Sequence, residues 1–201
     1  MQSQLSDFVV ADASRCIGCR VCEVACAVAH TATGKEHPVA GNLDSPLLPR
    51  LYLVRTPLAT APVQCRHCED APCAASCPAG AIRRKDGALV VEEARCVGCK
   101  TCMLACPFGA VELVPVYAQG RAVMQTVQTE DGGVCTVSPV MVAVKCDMCT
   151  GRQAGPACVQ ACPRGALRMA AVSDLRRRRC AQAAAGLAKY VTALHPEDGR
   201  S

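Results

Sequence analysis

The sequence contains no tryptophan, and its 201 residues include only two phenylalanines and three tyrosines. Large aromatic side chains are a usual filling of protein interiors, so something else must fill this core. The apolar fraction is carried by Ala, Val and Cys. Long hydrophobic runs are missing too. The longest candidate, Ala181 to Leu194, is broken by Gln182, Gly186 and Lys189 and falls short of the roughly 20 apolar residues of a bilayer span. The stretch Met1 to Arg15 lacks a basic start, an extended apolar segment and a twin arginine. No export signal is expected there, and reduced thiols in a cytoplasm are the expectation. No G-x-G-x-x-G follows a strand pattern and no P-loop or catalytic dyad is visible, which points away from a stand-alone enzyme.

What is present in excess is cysteine. Sixteen of the eighteen fall into four quartets: Cys16, Cys19, Cys22 and Cys26; Cys65, Cys68, Cys73 and Cys77; Cys96, Cys99, Cys102 and Cys106; Cys146, Cys149, Cys158 and Cys162. The first and third have the spacing C-x-x-C-x-x-C-x-x-x-C, and the third adds Pro107. That is the bacterial ferredoxin spacing, in which three close thiolates hold one 4Fe–4S cluster and the fourth reaches a second. Iron in a cluster needs soft thiolates on a tightly curved loop, and two intervening residues give that curvature. Zinc is the main rival. The stretched second and fourth quartets, taken alone, fit a Cys₄ zinc site about as well. The first and third do not, because a tetrahedral site has no use for a third cysteine at the same short spacing. Clusters would also supply the missing core volume.

The formal net charge of +5 counts every cysteine as neutral. Sixteen thiolates and four cores of about +2 each bring it to roughly −3 in the oxidised state. The basic residues then read as counter-charge, and no nucleic-acid partner is expected.

Three quartets end in C-P-x-G-A followed by an aliphatic residue, at Cys77-Pro78, Cys106-Pro107 and Cys162-Pro163. Each describes a helix that stops, turns through glycine and enters a strand. The first quartet departs, with Ala27 in the proline position. Strands are expected over Phe8 to Ala11 and Leu51 to Val54, a loop over Thr31 to Pro49, and a small bulge over Glu69 to Pro72. A hairpin or pair of edge strands is expected within Val116 to Val144, and a basic helix from Asp174 to about Leu194 with Ser173 as N-cap. Around the ligands, Gly18 and Gly98 allow close backbone approach. Arg20 and Lys100 follow at matching positions, either tuning a potential or standing as solvated cations. His67 lies between two ligands and is placed to donate to a sulfur, and Phe108 is expected on a cluster edge. Among the remaining residues, Cys135 reads as a buried inert thiol and Cys180 lies on the basic helix. His30, His37 and His195 read as surface or supporting residues. The run Arg176 to Arg179 covers every helix face, as a solvated collar or a docking patch for an acidic surface.

The spacings 2-2-3, 2-4-3, 2-2-3 and 2-8-3 carry a family resemblance. So do the runs Ala11-Asp12-Ala13-Ser14-Arg15-Cys16-Ile17-Gly18-Cys19-Arg20, Cys65-Arg66-His67-Cys68-Glu69-Asp70-Ala71-Pro72-Cys73 and Lys145-Cys146-Asp147. Together they resemble the four-cluster ferredoxin-like electron-transfer subunits of molybdopterin oxidoreductases such as dimethyl sulfoxide reductase, respiratory nitrate reductase and formate dehydrogenase. The nearest look is to the small soluble members associated with formate dehydrogenase and formate hydrogenlyase, with the carbon monoxide dehydrogenase iron–sulfur partner as a similar relative. The resemblance covers roughly residues 7 to 170.

It implies that each cluster takes three ligands from one quartet and the last from a partner quartet. One cluster would have Cys16, Cys19, Cys22 and Cys162, and its neighbour Cys146, Cys149, Cys158 and Cys26. The other two would have Cys65, Cys68, Cys73 and Cys106, and Cys96, Cys99, Cys102 and Cys77. Cys96, Cys99 and Cys102 argue against a 3Fe–4S cluster in the third quartet. The implied architecture is α+β, with one dicluster ferredoxin-like module inserted in another. The outer module would be residues 1–60 with 140–172 and the inner one 61–115. A hairpin or extended insert over 116–139 and a C-terminal helix and tail over 173–201 complete the chain. The implied function is that of an electron conduit with four 4Fe–4S clusters, between a catalytic oxidoreductase and a second redox protein or membrane complex. An accessory role in metalloenzyme maturation and a zinc-structured interaction module are the alternatives.

Overall fold

Proline and glycine punctuate the chain, and its elements are correspondingly short. The computed structural model describes residues 6–31, 46–128 and 135–194. β1 (Phe8–Ala11) leads into α1 (Val21–Ala29), β2 (Leu51–Arg55) and β3 (Thr60–Gln64). α2 (Pro72–Ala75) precedes β4 (Ile82–Lys85) and β5 (Ala88–Val91). After α3 (Thr101–Ala105) come β6 (Glu112–Pro115), β7 (Tyr117–Ala118), β8 (Arg121–Ala122), β9 (Met124–Gln128), β10 (Cys135–Pro139) and β11 (Met141–Val144). α4 (Ala157–Ala161), β12 (Leu167–Ala170) and α5 (Val172–Leu194) finish the described chain. This mixture of short helices and antiparallel strands is of the α+β class.

Every sheet among the described residues is an antiparallel pair. β1 pairs with β12, from Phe8 opposite Ala170 to Ala11 opposite Leu167, and so ties the start of the described chain to the end of the fourth quartet. β2 pairs with β3, β4 with β5, β6 with β11, β7 with β8 and β9 with β10. The β4–β5 and β7–β8 hairpins turn through Asp86-Gly87 and Gln119-Gly120, where both residues have positive φ, as a two-residue type I′ turn requires. An isolated two-stranded ribbon is marginal in water, and β2, β4 and β12 gain support by packing against α1, α2 and α4. α1 packs on α4 and α2 on α3. The core is thus a set of small clusters in which cysteines take the place of large hydrophobes. Val9, Leu51 and Leu167 pack with Cys22, Cys26 and Cys158, while Ile82, Leu89 and Val111 pack with Cys73 and Cys102.

Helix ends follow from pre-proline sterics. The residue before proline is pushed out of helical φ/ψ, and Cys106 and Cys162 sit at ψ 113° and 110°, closing α3 and α4. Ala27 imposes no such stop, so α1 runs on to Ala29.

Some expectations need correction. α5 begins at Val172, so Ser173 lies inside its first turn and is not its cap; the Ala171 carbonyl accepts from the N–H groups of Asp174 and Leu175, both at 3.1 Å. Cys135 is exposed, not buried, because among the described residues nothing is packed over this end of the β9–β10 ribbon. Along α5 every residue from Arg176 to Tyr190 is exposed, Cys180 and the four arginines included. The bulge over Glu69 to Pro72 is exposed only at Glu69 and Asp70, since Ala71 turns into the core and Pro72 opens α2. The Thr31 to Pro49 loop falls largely outside the described residues, as do His37 and His195.

Candidate metal centre

The cysteines are positioned by left-handed residues that precede the helices. Arg20 and Lys100 have φ of 62° and 67° and cap the N-termini of α1 and α3; Ala71, at φ 39°, does the same for α2. Each reverses the loop so that the third cysteine of its quartet enters a helix. Gly18 and Gly98 lie at φ 72° and 66°. At Gly98 a Cβ would stand 2.7 Å from the Met141 carbonyl oxygen, so only glycine fits there. The Gly18 carbonyl accepts a hydrogen bond from Arg55 Nη2 at 3.0 Å.

Cysteines distant in sequence come together. One cleft is lined by Cys16, Cys19, Cys22 and Cys162, with Leu53, Pro62 and Leu167 around them. A second is lined by Cys77, Cys96, Cys99 and Cys102, with Ile82 and Leu113. Cys73 and Cys68 each lie in the field of Cys65 and Cys106. Cys158 lies in that of Cys146, Cys26, Cys149 and Cys22. The groups also touch one another. Cys22, Cys26, Cys158 and Cys162 share one core cluster, Cys65, Cys106 and Cys146 a second, and Cys73, Cys96, Cys102 and Cys106 a third. Of the sixteen, only Cys19 and Cys99 are exposed.

Backbone donors point at the sulfurs. Ala81 N–H donates to Cys77 Sγ at 3.3 Å, Ala110 N–H to Cys106 Sγ at 3.4 Å and Ala166 N–H to Cys162 Sγ at 3.2 Å. This accounts for the repeated C-P-x-G-A: proline ends the helix, glycine at positive φ turns the chain, and the alanine amide comes back onto the thiol. Cys26 lacks that turn and receives Arg50 N–H instead, at 3.3 Å. Cys65, Cys96 and Cys146 accept from His67, Ala143 and Met148 N–H. Such donors favour thiolate. Burial is the largest influence on Cys162 and raises its pKa, yet the amides of Leu167, Ala166, Arg164 and Gly165 outweigh it and leave the thiol below its usual range. The deeper thiols show the opposite balance. Burial pushes Cys22 and Cys73 up to about 11 and Cys146 up to about 12, with Cys158 also raised. As free thiols these groups hold their protons, so loading a metal must displace them.

The donor set fits iron–sulfur clusters. Soft thiolates converge from short curved loops, amide donors face sulfur, and one buried polar group has an unmet demand of the matching kind. His67 is 1% exposed, and its Nδ1 accepts from Leu89 N–H at 3.0 Å. Burial first, then the Lys145 charge, pull its pKa down to about 3. The neutral ring therefore carries its proton on Nε2, which has no partner among the described residues. A sulfur acceptor would satisfy it.

Other flagged residues are less engaged. Arg20 Nη1 pairs with Glu23 Oε2 at 3.3 Å on the surface. Lys100 is exposed. Phe108 is 46% exposed, with the Arg66 guanidinium 6.0 Å from its ring centre.

Sequence reasoning missed a polar clamp beside Cys26. Arg50 Nη1 donates to Asp147 Oδ2 at 2.7 Å. His30 donates from Nε2 to Asp147 Oδ1 at 2.9 Å and from Nδ1 to the Cys26 carbonyl at 2.7 Å. Cys149 N–H donates to Asp147 as well. With both ring nitrogens facing acceptors, His30 is an imidazolium. Burial opposes that charge most, but the bonds to Asp147 and Cys26 outweigh it and hold the pKa well above the usual range. Asp147 is half-buried, which raises it, and the His30 bond and the His30 and Arg50 charges hold it below the carboxylate range. The run Lys145-Cys146-Asp147 was the only sequence signal for this clamp.

Comparison with known proteins agrees with this chemistry. Residues 57–124 match the 4Fe-4S dicluster domain family. YsaA of Escherichia coli strain K12 is 42% identical over 178 residues, covering 89% of this chain and 98% of that protein. The electron transport protein HydN of the same strain is 40% identical, covering 88% of this chain and 98% of its own. Formate hydrogenlyase subunit 2 is 38% identical over 86% of each chain. Among solved structures, the active site complex BamBC of benzoyl coenzyme A reductase aligns at 20% identity and a TM-score of 0.34, too weak a likeness to carry weight. Among the described residues no helix is long and apolar enough to cross a membrane. On identity of this level over nearly the whole of its relatives, the chain belongs to the family of iron–sulfur electron-transport proteins that includes HydN, YsaA and formate hydrogenlyase subunit 2.

Proposed function

We propose that the chain holds four 4Fe–4S clusters in a row and links a catalytic oxidoreductase, a molybdopterin enzyme of the formate dehydrogenase kind, to an acceptor redox protein or membrane complex. The ligand sets are Cys16, Cys19, Cys22 and Cys162; Cys146, Cys149, Cys158 and Cys26; Cys65, Cys68, Cys73 and Cys106; and Cys96, Cys99, Cys102 and Cys77. When bound, such clusters supply one-electron redox chemistry. The chain contributes their order, their insulation and their ends.

The observation that carries this is the succession of cysteine groups. The Cys16 group shares a core cluster with the Cys146 group, that group packs on the Cys65 group, and the Cys65 group packs on the Cys96 group. Exposed ligands occur only at the two ends of this succession, at Cys19 and Cys99. Beside them Ile17 and Val97 are 61% and 69% exposed, giving each end an apolar contact surface for a partner. The thiols call for a reducing compartment, and the cytoplasm is the proposed location.

Protein purified anaerobically is expected to be brown, with about 16 iron and as much labile sulfide per chain. Colourless protein carrying zinc would end this reading. Anaerobic pull-down should recover an active oxidoreductase in stoichiometric amount. Partner activity that survives deletion of the gene, with its cofactor loading impaired, would instead favour the maturation role.

A further inference from the structure

Lys145 is the largest of the fully buried side chains among the described residues, at 2% exposure. It lies between the end of β11 and Cys146. Its Nζ donates to the Leu89 carbonyl and, at 3.0 Å, to the Cys146 carbonyl. Among the described residues no carboxylate pairs with it. A buried ammonium with carbonyl partners alone is strongly unfavourable, and buried cations are ordinarily paired with an anion. The anion is to be sought among the thiols. Lys145 precedes a ligand of the fourth quartet, and its charge also acts on Cys73 of the second. Near it Cys65, Cys106 and Cys146 pack together.

Leu89 links this cation to a second unmet group. Its carbonyl accepts from Lys145, and its N–H donates to His67 Nδ1, leaving the His67 Nε2 proton without an acceptor. A cation without an anion and a donor without an acceptor lie on either side of one backbone residue. Both demands have the sign that a cluster with thiolate ligands meets.

We propose that Lys145 is the shared counter-cation of the two interior clusters, a fixed positive charge between the Cys65, Cys68, Cys73, Cys106 site and the Cys146, Cys149, Cys158, Cys26 site. It makes both easier to reduce than a neutral side chain would. This rests on the four-cluster reading above. Reduction adds negative charge to a site that is already negative, so a nearby cation stabilises the reduced form. Burial keeps the interaction strong and unscreened by salt, unlike that of the exposed Arg20 and Lys100.

The test is an EPR-monitored redox titration of anaerobic full-length protein, comparing wild type with Lys145→Met and Lys145→Gln. Interior signals are assigned by their loss in Cys106→Ser and Cys26→Ser. Both Lys145 variants should lower the two interior midpoint potentials by at least the 59 mV that corresponds to a tenfold change in a one-electron equilibrium. The terminal pair should move much less. Unchanged potentials, an equal shift of all four, or a Gln variant that behaves as wild type would overturn the proposal, the last because it assigns the effect to a hydrogen bond. If neither variant loads fully, iron loss confined to the interior signals supports the proposal and loss across all four overturns it. Wild-type protein without four clusters would instead defeat the reading beneath it.

Discussion

Cys16 to Cys26 and Cys96 to Cys106 have the same 2-2-3 spacing, the same glycine before the second cysteine and a left-handed cation after it. They part at their last ligand. Pro107 ends α3 at Cys106, and the sulfur is met by an amide four residues on, Ala110. In the first quartet α1 continues to Ala29, Cys26 stays helical, and its sulfur is met by Arg50, 24 residues away. Arg50 is itself fixed by Asp147, beside the fourth quartet. For its last ligand the third quartet thus carries the sulfur donor in its own local sequence. The first obtains the equivalent donor only once distant segments have come together.

The largest effect that would break this comparison is loss of a cluster. Cys106→Ser should empty the Cys65, Cys68, Cys73 site and Cys26→Ser the Cys146, Cys149, Cys158 site, each costing about 4 of about 16 iron. Loss of the cluster held by the mutated residue's own quartet, seen by EPR and iron analysis, would refute the exchange of ligands. Next is Ala27→Pro, which imposes the pattern of the other three quartets on the first. Inside a running helix it should destabilise by about 3 kcal/mol, whereas Pro107→Ala should cost less than about 1 kcal/mol. Equal shifts in chemical denaturation would remove the distinction. Third, Gly98→Ala should cost about 2 kcal/mol, because its Cβ would meet a backbone carbonyl at 2.7 Å. Gly18→Ala should cost about half as much, since its Cβ would meet the movable Arg55 guanidinium at 2.9 Å.

The last expected effect is that of Asp147→Asn, about 1–2 kcal/mol, and it is the one that should depend on pH. The His30 pKa is raised, so its share is full below 6.5 and lost as pH rises through its folded value. The Asp147 pKa is lowered, so its share is present above 3.8 and lost as pH falls through its folded value. The stability gap between wild type and variant should therefore peak between pH 3.8 and 6.5 and shrink on the alkaline side. A gap that widens above pH 7 would contradict the clamp.

The quartets, the repeated turns and the strands that follow them were legible in the sequence because each is specified locally, the longest quartet running only from Cys146 to Cys162. The Cys-Pro step acts through sterics on a single residue, and glycine acts through its own φ. What was not legible depends on tertiary contact. β3 contains Pro62, which reads against a strand, and forms only because β2 lies beside it. Cys135 sits in a β-branched run that looks like core, but among the described residues nothing covers it. Ser173 has the chemistry of a cap, but the helix starts one residue before it. Arg50, Asp147 and Lys145 follow no periodicity. Their roles arise from what the fold places around them, and for Lys145 the surroundings include residues 56 positions away in sequence.

The pairing of β1 with β12 also has a temporal consequence. Residues 8 and 170 are opposite each other in that ribbon. During synthesis the N-terminal strand must wait until the chain through Ala170 has emerged. The second and third quartets, by contrast, lie within 42 residues of one another and can meet far earlier. A contact this distant in sequence can close only late, so the expected order of assembly runs from the middle of the chain outward.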